Sequence, residues 1–195
     1  MCDSCVKVTT FQHIDSTNEE AKRRIRNGGI TDPFVIVSES QSYGKGSYGR
    51  KWYSEANGGL YYTYAASVKN ESFLSDLSFV TQLAYILAPT VESLANISLT
   101  IKLPNDFILS GKKVGGILIE TLAYTHPESV TTGRRLRECY MVVGMGLNLN
   151  QTFFPEDLKD IATSLYIETG RRYAKEPVIK KITDTLTSFF KQYEF

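Results

Sequence analysis

Strand-like and helix-like segments alternate along the chain, and this order is the strongest constraint on its fold. Short apolar runs rich in β-branched and aromatic residues predict strands at 6–11, 34–40, 59–67, 99–104 and 138–150. Residues 106–124 have the pattern of a hairpin turning at Ser110-Gly111-Lys112. Helical patterns occupy 15–29, 73–95 and 177–193. We predict a mixed sheet covered by helices, of the α+β or α/β class, in a single domain over residues 1–195.

Two of the predicted helices carry boundary signals. Either Asp15 or Ser16 can cap the first helix, and Ser16 with Glu19 has the spacing of a capping box. Gly28-Gly29 favour the left-handed backbone that ends many helices. In the second helix, Pro89 is expected to kink or interrupt the pattern, because proline removes a backbone donor.

Composition and charge exclude several classes of protein. The formal net charge is +1, whereas nucleic-acid binders usually carry a strong positive excess, so no nucleic-acid partner is expected. The apolar runs are far shorter than the roughly 20 residues of a membrane span. Three cysteines, Cys2, Cys5 and Cys139, fit a reducing cytoplasm. No second ligand pair follows the Cys2/Cys5 pair, so an exposed pair is favoured over a zinc or redox site.

The stretch SYGKGSYGRKWYS, residues 42–54, combines glycines with cationic side chains. Glycine allows positive φ angles and close approach of the backbone to a ligand, and successive free N–H groups can hold an anion. Lys45, Arg50 and Lys51 add positive charge. The spacing does not match a P-loop, and a strand follows instead of a helix. Two interpretations remain at this point, a ligand-binding loop and a simple turn.

A second polar cluster lies in KLPNDFILSGKKVGGILIE, residues 102–120. Gly115-Gly116 interrupt an otherwise apolar strand, and glycine in a strand often marks the close approach of a ligand. A lysine just before these glycines can enter the space that they leave. The alternative is a surface hairpin with solvated lysines and a bulge.

Four segments together resemble the catalytic domain of biotin protein ligases, in the order found in that family. They are DSTN at 15–18, QSYGKGSYGRKW at 41–52, KLPND at 102–106 with KKVGGIL at 112–118, and GMGLNLN at 144–150. The resemblance implies an α+β fold with a mixed, mainly antiparallel sheet, the class II synthetase-like biotin/lipoate ligase fold. It also implies an ATP-dependent ligase that makes biotinoyl-5'-AMP and transfers biotin to a specific lysine of a biotin carboxyl carrier domain.

The resemblance implies roles for individual residues. The biotin-binding residues would be Ser16, Thr17, Asn18, Gln41, Gly44, Gly46, Lys113, Gly115 and Gly116. The nucleotide-binding residues would be Lys45, Gly46, Ser47, Arg50, Trp52, Asn105, Asp106 and Asn148. Lys113 and Lys45 are the implied catalytic residues, with Lys113 bridging the biotin carboxylate and the α-phosphate. Mg²⁺ is expected to accompany ATP, and its protein ligands are left unassigned.

Some positions depart from the family pattern. Lys45 stands where arginine is usual, Ser47 where some members carry arginine, and Leu103 where tryptophan is usual. We expect neither an N-terminal helix-turn-helix domain nor the small C-terminal β-barrel. The expected partner is the carrier domain of a biotin-dependent carboxylase such as acetyl-CoA carboxylase, and a homodimer is compatible with the resemblance. The alternatives are a lipoate or octanoate ligase or transferase of the same fold, and a non-catalytic biotin-binding module.

Overall fold

The computed structural model describes residues 6–28, 30–56, 58–68, 77–125 and 137–192. The strands are β1 Lys7–Phe11, β2 Phe34–Ser38, β3 Gly59–Val68, β4 Thr100–Lys102, β5 Asp106–Leu109, β6 Lys112–Thr125 and β7 Arg137–Asn148. The helices within these ranges are α1 Thr17–Arg26, α2 Leu77–Ala95, α3 Leu165–Thr169 and α4 Lys175–Phe190. A short 3-10 turn spans Ser47–Gly49.

All seven strands form one sheet in the order β1-β2-β3-β7-β6-β5-β4. Only the β1–β2 pair is parallel, and the other five pairs are antiparallel. The predicted mixed, mainly antiparallel α+β fold is therefore confirmed. The predicted hairpin also forms, because Ser110 and Gly111 take φ angles of 50° and 80° between β5 and β6. Two successive positive φ angles suit the tight turns of hairpins.

Helices cover both faces of the sheet. Alternate residues of a strand point to opposite faces, so neighbouring residues of the central strands enter different cores. On one face, Ala21 and Ile25 of α1 pack over β2, β3 and β7. On the other face, α2 and α4 supply Leu83, Leu87 and Ile182 to the larger core. The first turn of α1 is thereby placed against the middle of the sheet, where the site described below lies.

Helix α2 is continuous through Pro89, so an interruption there was wrong, while the alternative of a kink stays a prediction. Proline at this position removes the hydrogen bond to the carbonyl of Tyr85, four residues earlier. Both residues lie on the exposed side of the helix, and Tyr85 is 58% exposed. Water can therefore solvate that carbonyl, while the buried side of the helix keeps its packing.

The start of α1 differs from the predicted capping box. Ser16 occupies the N-cap position, but its side chain makes no capping hydrogen bond. Asp15 Oδ1 accepts from the Ser16 backbone N–H at 2.7 Å and also binds Arg23. Glu19 is engaged by lysines instead of reaching back to the cap. An ion pair therefore replaces the reciprocal cap at this helix end.

The Asp15–Arg23 pair predicts a dependence of stability on pH. The hydrogen bond from Arg23 lowers the pKa of Asp15 to about 2. A carboxyl with a lowered folded-state pKa adds stability above its ordinary pKa of 3.8, and that stability is lost as pH falls through about 2. The two side chains are 39% and 44% exposed, so solvent screening limits the effect.

We expect Asp15→Asn to lower the free energy of unfolding by less than about 1 kcal/mol at pH 7. The difference in the free energy of unfolding between the variant and wild type should shrink towards zero at the acid end of the titration. Urea unfolding of both proteins across this pH range is the measurement. Asp32→Asn is the matched control, because Asp32 is exposed and contacts the neighbouring Thr31 hydroxyl. If the free energies of unfolding of Asp15→Asn and wild type differ by the same amount at all pH values, the assigned ion pair is contradicted.

In the parts of the chain that the structure describes, no helix is long and apolar enough to cross a membrane. The Cys139 side chain is buried. The Cys2/Cys5 pair and residues 126–136 lie outside the described residues.

Candidate functional site

Two adjoining cavities lie where the glycine loop, residues 42–54, crosses the middle of the sheet. The first has an open volume of about 470 Å³ and is lined by the start of α1, the glycine loop, β3, β6 and β7. The second has about 1320 Å³ and extends from the glycine loop over β5 to residues 154–162. Gly46, Ser47, Trp52 and Lys113 line both cavities. These four residues therefore mark the junction between them.

Glycines in β7 make room for the side chains that form the first cavity. A Cβ atom at Gly144 would lie 2.4 Å from Asn18 Oδ1, and one at Gly146 would lie 2.4 Å from Trp52 Cε2. In the register of β6 and β7, Gly146 pairs with Gly116. Close packing of this kind needs the absence of a side chain, so GMGLNLN has a steric role as well as lining the cavity.

The first turn of α1 contributes one polar wall of the first cavity. Gln41 Oε1 accepts hydrogen bonds from the backbone N–H of Thr17 at 2.8 Å and from its hydroxyl at 3.1 Å. Gln41 Nε2 donates to Ser54 Oγ at 3.0 Å. Ser16, Thr17 and Gln41 all line the cavity, as predicted. This wall is built from hydroxyl and amide groups, which suit a neutral polar ligand.

Asn18 also lines the first cavity, but protein groups bind both ends of its side-chain amide. Its Nδ2 donates to Glu120 Oε2 at 2.8 Å, and its Oδ1 accepts from the Thr63 hydroxyl at 2.6 Å. Asn18 is 4% exposed. Its position is thus strongly determined by β3 and β6.

Lys113 stands at the junction of the two cavities. Its Nζ lies 2.6 Å from Asp106 Oδ1 and 5.1 Å from the centroid of the Trp52 ring. The β5–β6 register shifts here, so that Ile108 pairs with Lys113 while Phe107 pairs with Gly115. A bulge of this kind re-aims a side chain and is common next to active sites. The predicted catalytic lysine is therefore held by local backbone irregularity and by an ion pair.

The two asparagines that were predicted to bind the nucleotide, Asn105 and Asn148, hydrogen-bond to other parts of the protein. Asn105 Nδ2 donates to Ser47 Oγ at 2.9 Å and to the Ile117 carbonyl at 2.6 Å, and Asn105 lines the first cavity. Asn148 lines the second cavity, and its Nδ2 donates to the Thr163 carbonyl at 2.9 Å. Arg50 and Asp106 also line the second cavity. Asn105 thus lines the first cavity and not the second, and its contact with the nucleotide stays a prediction.

Gly44 and Gly115 line neither cavity, and their contact with biotin stays a prediction. A Cβ atom on Gly44 would lie 2.5 Å from Ser54 Oγ and 2.7 Å from the Trp52 carbonyl. A Cβ atom on Gly115 would lie 3.0 Å from the Gly146 carbonyl and 3.1 Å from Phe107. Both glycines permit close packing behind the site.

Several lining residues were missed by the sequence analysis. The first cavity includes Tyr61, Tyr62, Ile117, Leu118, Gly144, Met145 and Gly146, and the second includes Tyr53, Phe154, Leu158 and Asp160. Tyr61 and Tyr62 belong to β3, a strand whose apolar pattern predicts core. Burial raises the pKa of the Tyr61 phenol above its usual range, so this hydroxyl stays neutral.

The two cavities differ in the number of charged side chains that line them. Cations around the second cavity are Arg50, Lys51, Lys102 and Lys113, and its carboxylates are Asp106 and Asp160. Several cations converging on one cavity favour an anionic ligand such as a phosphate chain. The first cavity combines neutral polar groups and apolar residues of the sheet with two lysines, Lys45 and Lys113. Together the cavities can place a neutral ring and a phosphate-bearing ligand on either side of one lysine.

Comparison with known proteins links this geometry to one family. The sequence profile of the biotin/lipoate A/B protein ligase family matches residues 10–134. The bifunctional ligase/repressor BirA of Bacillus spizizenii is 30% identical over 186 residues, covering 94% of this chain and 53% of that protein. The biotin--[acetyl-CoA-carboxylase] ligase of Mycobacterium tuberculosis is 28% identical over 159 residues. That match covers 77% of this chain and 51% of the Mycobacterium protein. The chain thus spans about half the length of these relatives.

Solved structures agree with the sequence comparison. The biotin protein ligase of Aquifex aeolicus, in complex with biotin and ATP, superposes with a TM-score of 0.71 at 29% identity. That match covers 95% of this chain and 72% of the Aquifex chain. Plasmodium falciparum LipL1, in complex with lipoate, superposes with a TM-score of 0.55 at 11% identity. That match covers 96% of this chain and 63% of the Plasmodium chain. The second match shows the shared fold alone.

Proposed function

The chain belongs to the biotin/lipoate A/B protein ligase family, and on that basis we propose that it is an ATP-dependent biotin protein ligase. In the first step, a biotin carboxylate oxygen attacks the α-phosphorus of ATP, and the bond to pyrophosphate breaks. In the second step, the amine of a carrier lysine attacks the acyl carbon of biotinoyl-5'-AMP. AMP leaves, and the amine gives up a proton as the amide forms.

One observation carries this proposal, namely that Lys113 lies at the junction of a cavity lined mostly by uncharged groups and a cavity lined by several charged groups. Bringing a carboxylate to a phosphate sets two anions together, and a fixed ammonium group between them reduces their repulsion. Asp106 and Trp52 hold the ammonium in place before the substrates arrive. Preorganisation of this kind lowers the cost of reorganisation during the reaction.

Biotin would occupy the first cavity, and the nucleotide would occupy the second. The ureido ring of biotin is neutral, so the hydroxyls of Ser16 and Thr17 and the amide of Gln41 suit it better than charged groups. Arg50 and Lys51 would face the phosphates from the glycine loop. Mg²⁺ would balance the triphosphate charge, and the carboxylate of Asp160 offers oxygen ligands of the kind that such a hard cation prefers.

The proposed acceptor is a lysine of a biotin carboxyl carrier domain, such as that of acetyl-CoA carboxylase. The Mycobacterium tuberculosis relative is named for that carboxylase. The KLPND and GMGLNLN segments favour biotin over lipoate or octanoate. A lipoate or octanoate ligase of the same fold remains the second candidate, and a non-catalytic biotin-binding module the third.

Pyrophosphate release with ATP and either biotin, lipoate or octanoate separates these candidates. We expect ATP-dependent release with biotin and only background release with the two fatty-acid substrates. Transfer is then tested by the mass shift of an isolated carrier domain, with a carrier whose acceptor lysine is arginine as the control. Release with lipoate alone would establish the second candidate, and biotin binding without pyrophosphate release would establish the third.

A further inference from the structure

The side-chain amide of Asn18 bridges two strands at the wall of the first cavity. Its Nδ2 donates to Glu120 Oε2 on β6 at 2.8 Å, and its Oδ1 accepts from the Thr63 hydroxyl on β3 at 2.6 Å. Strand β7 lies between β3 and β6, and Gly144 on β7 leaves the space that the amide crosses. Both ends of an amide that lines the cavity are therefore bound by the sheet.

The two partners constrain the amide differently. An ionised carboxylate accepts hydrogen bonds and donates none, so the group of Asn18 that faces Glu120 must be the Nδ2 donor. A threonine hydroxyl both donates and accepts, so Thr63 could bind either end of the amide. The oxygen and nitrogen ends of an amide have nearly the same shape, so hydrogen-bond partners decide its orientation. Glu120 is therefore the group that distinguishes the two orientations of Asn18.

Lys22 occupies the other oxygen of the Glu120 carboxylate. It follows Asn18 by about one turn of α1 and is 8% exposed. Its Nζ lies 2.8 Å from Glu120 Oε1. Burial opposes the charge on Lys22, but hydrogen bonds to Glu120 and Glu19 outweigh it and leave the Lys22 pKa above its usual value. Residue 120 must therefore offer one acceptor to Lys22 and another to Asn18 at the same time.

These orienting contacts lie outside the cavities. Among the residues that the structure describes, Asn18 lines the first cavity, whereas Glu120 and Lys22 line neither. A ligand in the first cavity would meet the Asn18 amide and not the two groups that orient it. The carboxylate thus acts on the cavity through Asn18.

We propose that Glu120 is a positioning residue, which together with Lys22 fixes the orientation of the Asn18 amide and hence the hydrogen-bonding groups that the first cavity offers to its ligand. Reversing the amide would exchange its donor and acceptor ends, so a ligand group that hydrogen-bonds to one end would face the other. The effect on biotin rests on the proposed function, whereas the orientation of the amide does not.

Glu120→Gln is the decisive substitution, because it keeps the shape of the side chain and leaves one acceptor oxygen for two donors. Hydrogen bonds from a charged donor are stronger than those from a neutral one, so the glutamine oxygen should face Lys22. The glutamine Nε2 then faces Asn18, and the Asn18 amide should reverse. We expect the biotin dissociation constant to rise by about fivefold to hundredfold, the usual range for a mismatched buried hydrogen bond.

Two measurements follow this loss of affinity. Calorimetric titration with biotin in the absence of ATP gives the dissociation constant. In the pyrophosphate assay, Glu120→Gln should raise the KM for biotin and leave kcat nearly unchanged, because the lost contact binds the substrate and the transition state alike.

Lys22→Met should rescue the Glu120→Gln variant. Without the Lys22 ammonium, the glutamine oxygen can return to Asn18 Nδ2, so the double variant should bind biotin within about threefold of wild type. Lys22→Met alone should also stay near wild type, because Glu120 still orients the amide. A substitution that merely weakened the packing of α1 would not be repaired by a second one in the same place.

Glu20→Gln is the matched control. It is the same substitution in a carboxylate of similar exposure, since the Glu20 side chain is 19% exposed and that of Glu120 is 26% exposed. Glu20 pairs with Arg23 and Arg24 on its own helix. The control should leave the affinity for biotin unchanged.

Nuclear magnetic resonance of the ligand-free protein measures the orientation of the amide directly. The Nδ2 protons of Asn18, identified by their absence from Asn18→Ala, should show nuclear Overhauser contacts to the Glu120 side chain in wild type. In Glu120→Gln these contacts should move to the Thr63 side chain. In the double variant with Lys22→Met they should return to residue 120.

The proposal is overturned if the Asn18 protons keep their contacts with residue 120 in Glu120→Gln, or if that variant and Glu20→Gln lower the affinity for biotin equally. If Glu120→Gln alone does not fold, the double variant decides, because it should recover both folding and biotin affinity. If wild type neither binds biotin nor releases pyrophosphate while the amide reverses as expected, the proposed function falls and the positioning role stands. If wild type does both and the amide does not reverse, the positioning role falls alone.

Discussion

Replacing Lys113 with alanine is expected to lower the rate of pyrophosphate release by about 10²–10³-fold, the usual effect of removing one preorganised charge contact. Lys113 places its ammonium at the junction of the two cavities, beside Asp106 and Trp52. Without it, the biotin carboxylate and the α-phosphate would meet without a balancing charge. The measurement is pyrophosphate release at saturating biotin and ATP.

The same variant should keep most of its affinity for biotin alone, because the polar wall at the start of α1 is unchanged. Calorimetric titration with biotin in the absence of ATP measures this. Lys112→Ala is the matched control, since Lys112 is the preceding residue and its ammonium donates to the Lys159 carbonyl outside the junction. The role assigned to Lys113 is wrong if its alanine variant releases pyrophosphate within tenfold of wild type.

The second large effect is expected for Gly144→Ala. The new Cβ atom would lie 2.4 Å from Asn18 Oδ1 and 2.9 Å from Asn18 Nδ2. Asn18 cannot rotate away cheaply, because Glu120 and Thr63 bind both ends of its amide. Overpacking of this kind typically costs about 1–3 kcal/mol. We expect that loss in the free energy of unfolding, and a biotin affinity lowered by about tenfold or more, since 1.4 kcal/mol is a factor of ten.

Urea unfolding and biotin titration of the Gly144→Ala variant measure these two effects. Adding Asn18→Ala removes the atoms that the new methyl group meets, so the double variant should be less destabilised than the sum of the two single variants. Strict additivity would show that the contact between residues 144 and 18 does not limit this site.

Loop geometry and local segments follow directly from the sequence. The Ser110-Gly111 turn, the apolar strands and the polar start of α1 are encoded by residues close together in the chain, and each is found where it was predicted. The polar wall of the first cavity could also be predicted, because Ser16 and Thr17 are neighbours at the start of one helix. The order of DSTN, the glycine loop, KLPND and GMGLNLN was sufficient to predict the family.

An interruption at Pro89, one of the two outcomes expected there, and the capping box were wrong because each was inferred from a local preference alone. Tertiary structure decided both outcomes: Pro89 lies on the exposed side of α2, and Glu19 is engaged by lysines. At Pro89 the local preference was outweighed by solvent exposure, and at Glu19 it was outweighed by contacts with lysines. Neither effect could be identified from the neighbouring residues of the sequence.

Residue types and their spacing were enough to predict which chemical groups are present and which local segments carry them. Whether each group faces a cavity or another part of the protein depended on the packing of distant segments. The Lys45 ammonium pairs with Glu19, 26 residues away in the chain. Gly115 packs on Gly146 of the neighbouring strand. The physical reason is that a side chain takes the partner that folding brings within contact distance, and residue type and spacing do not specify that partner.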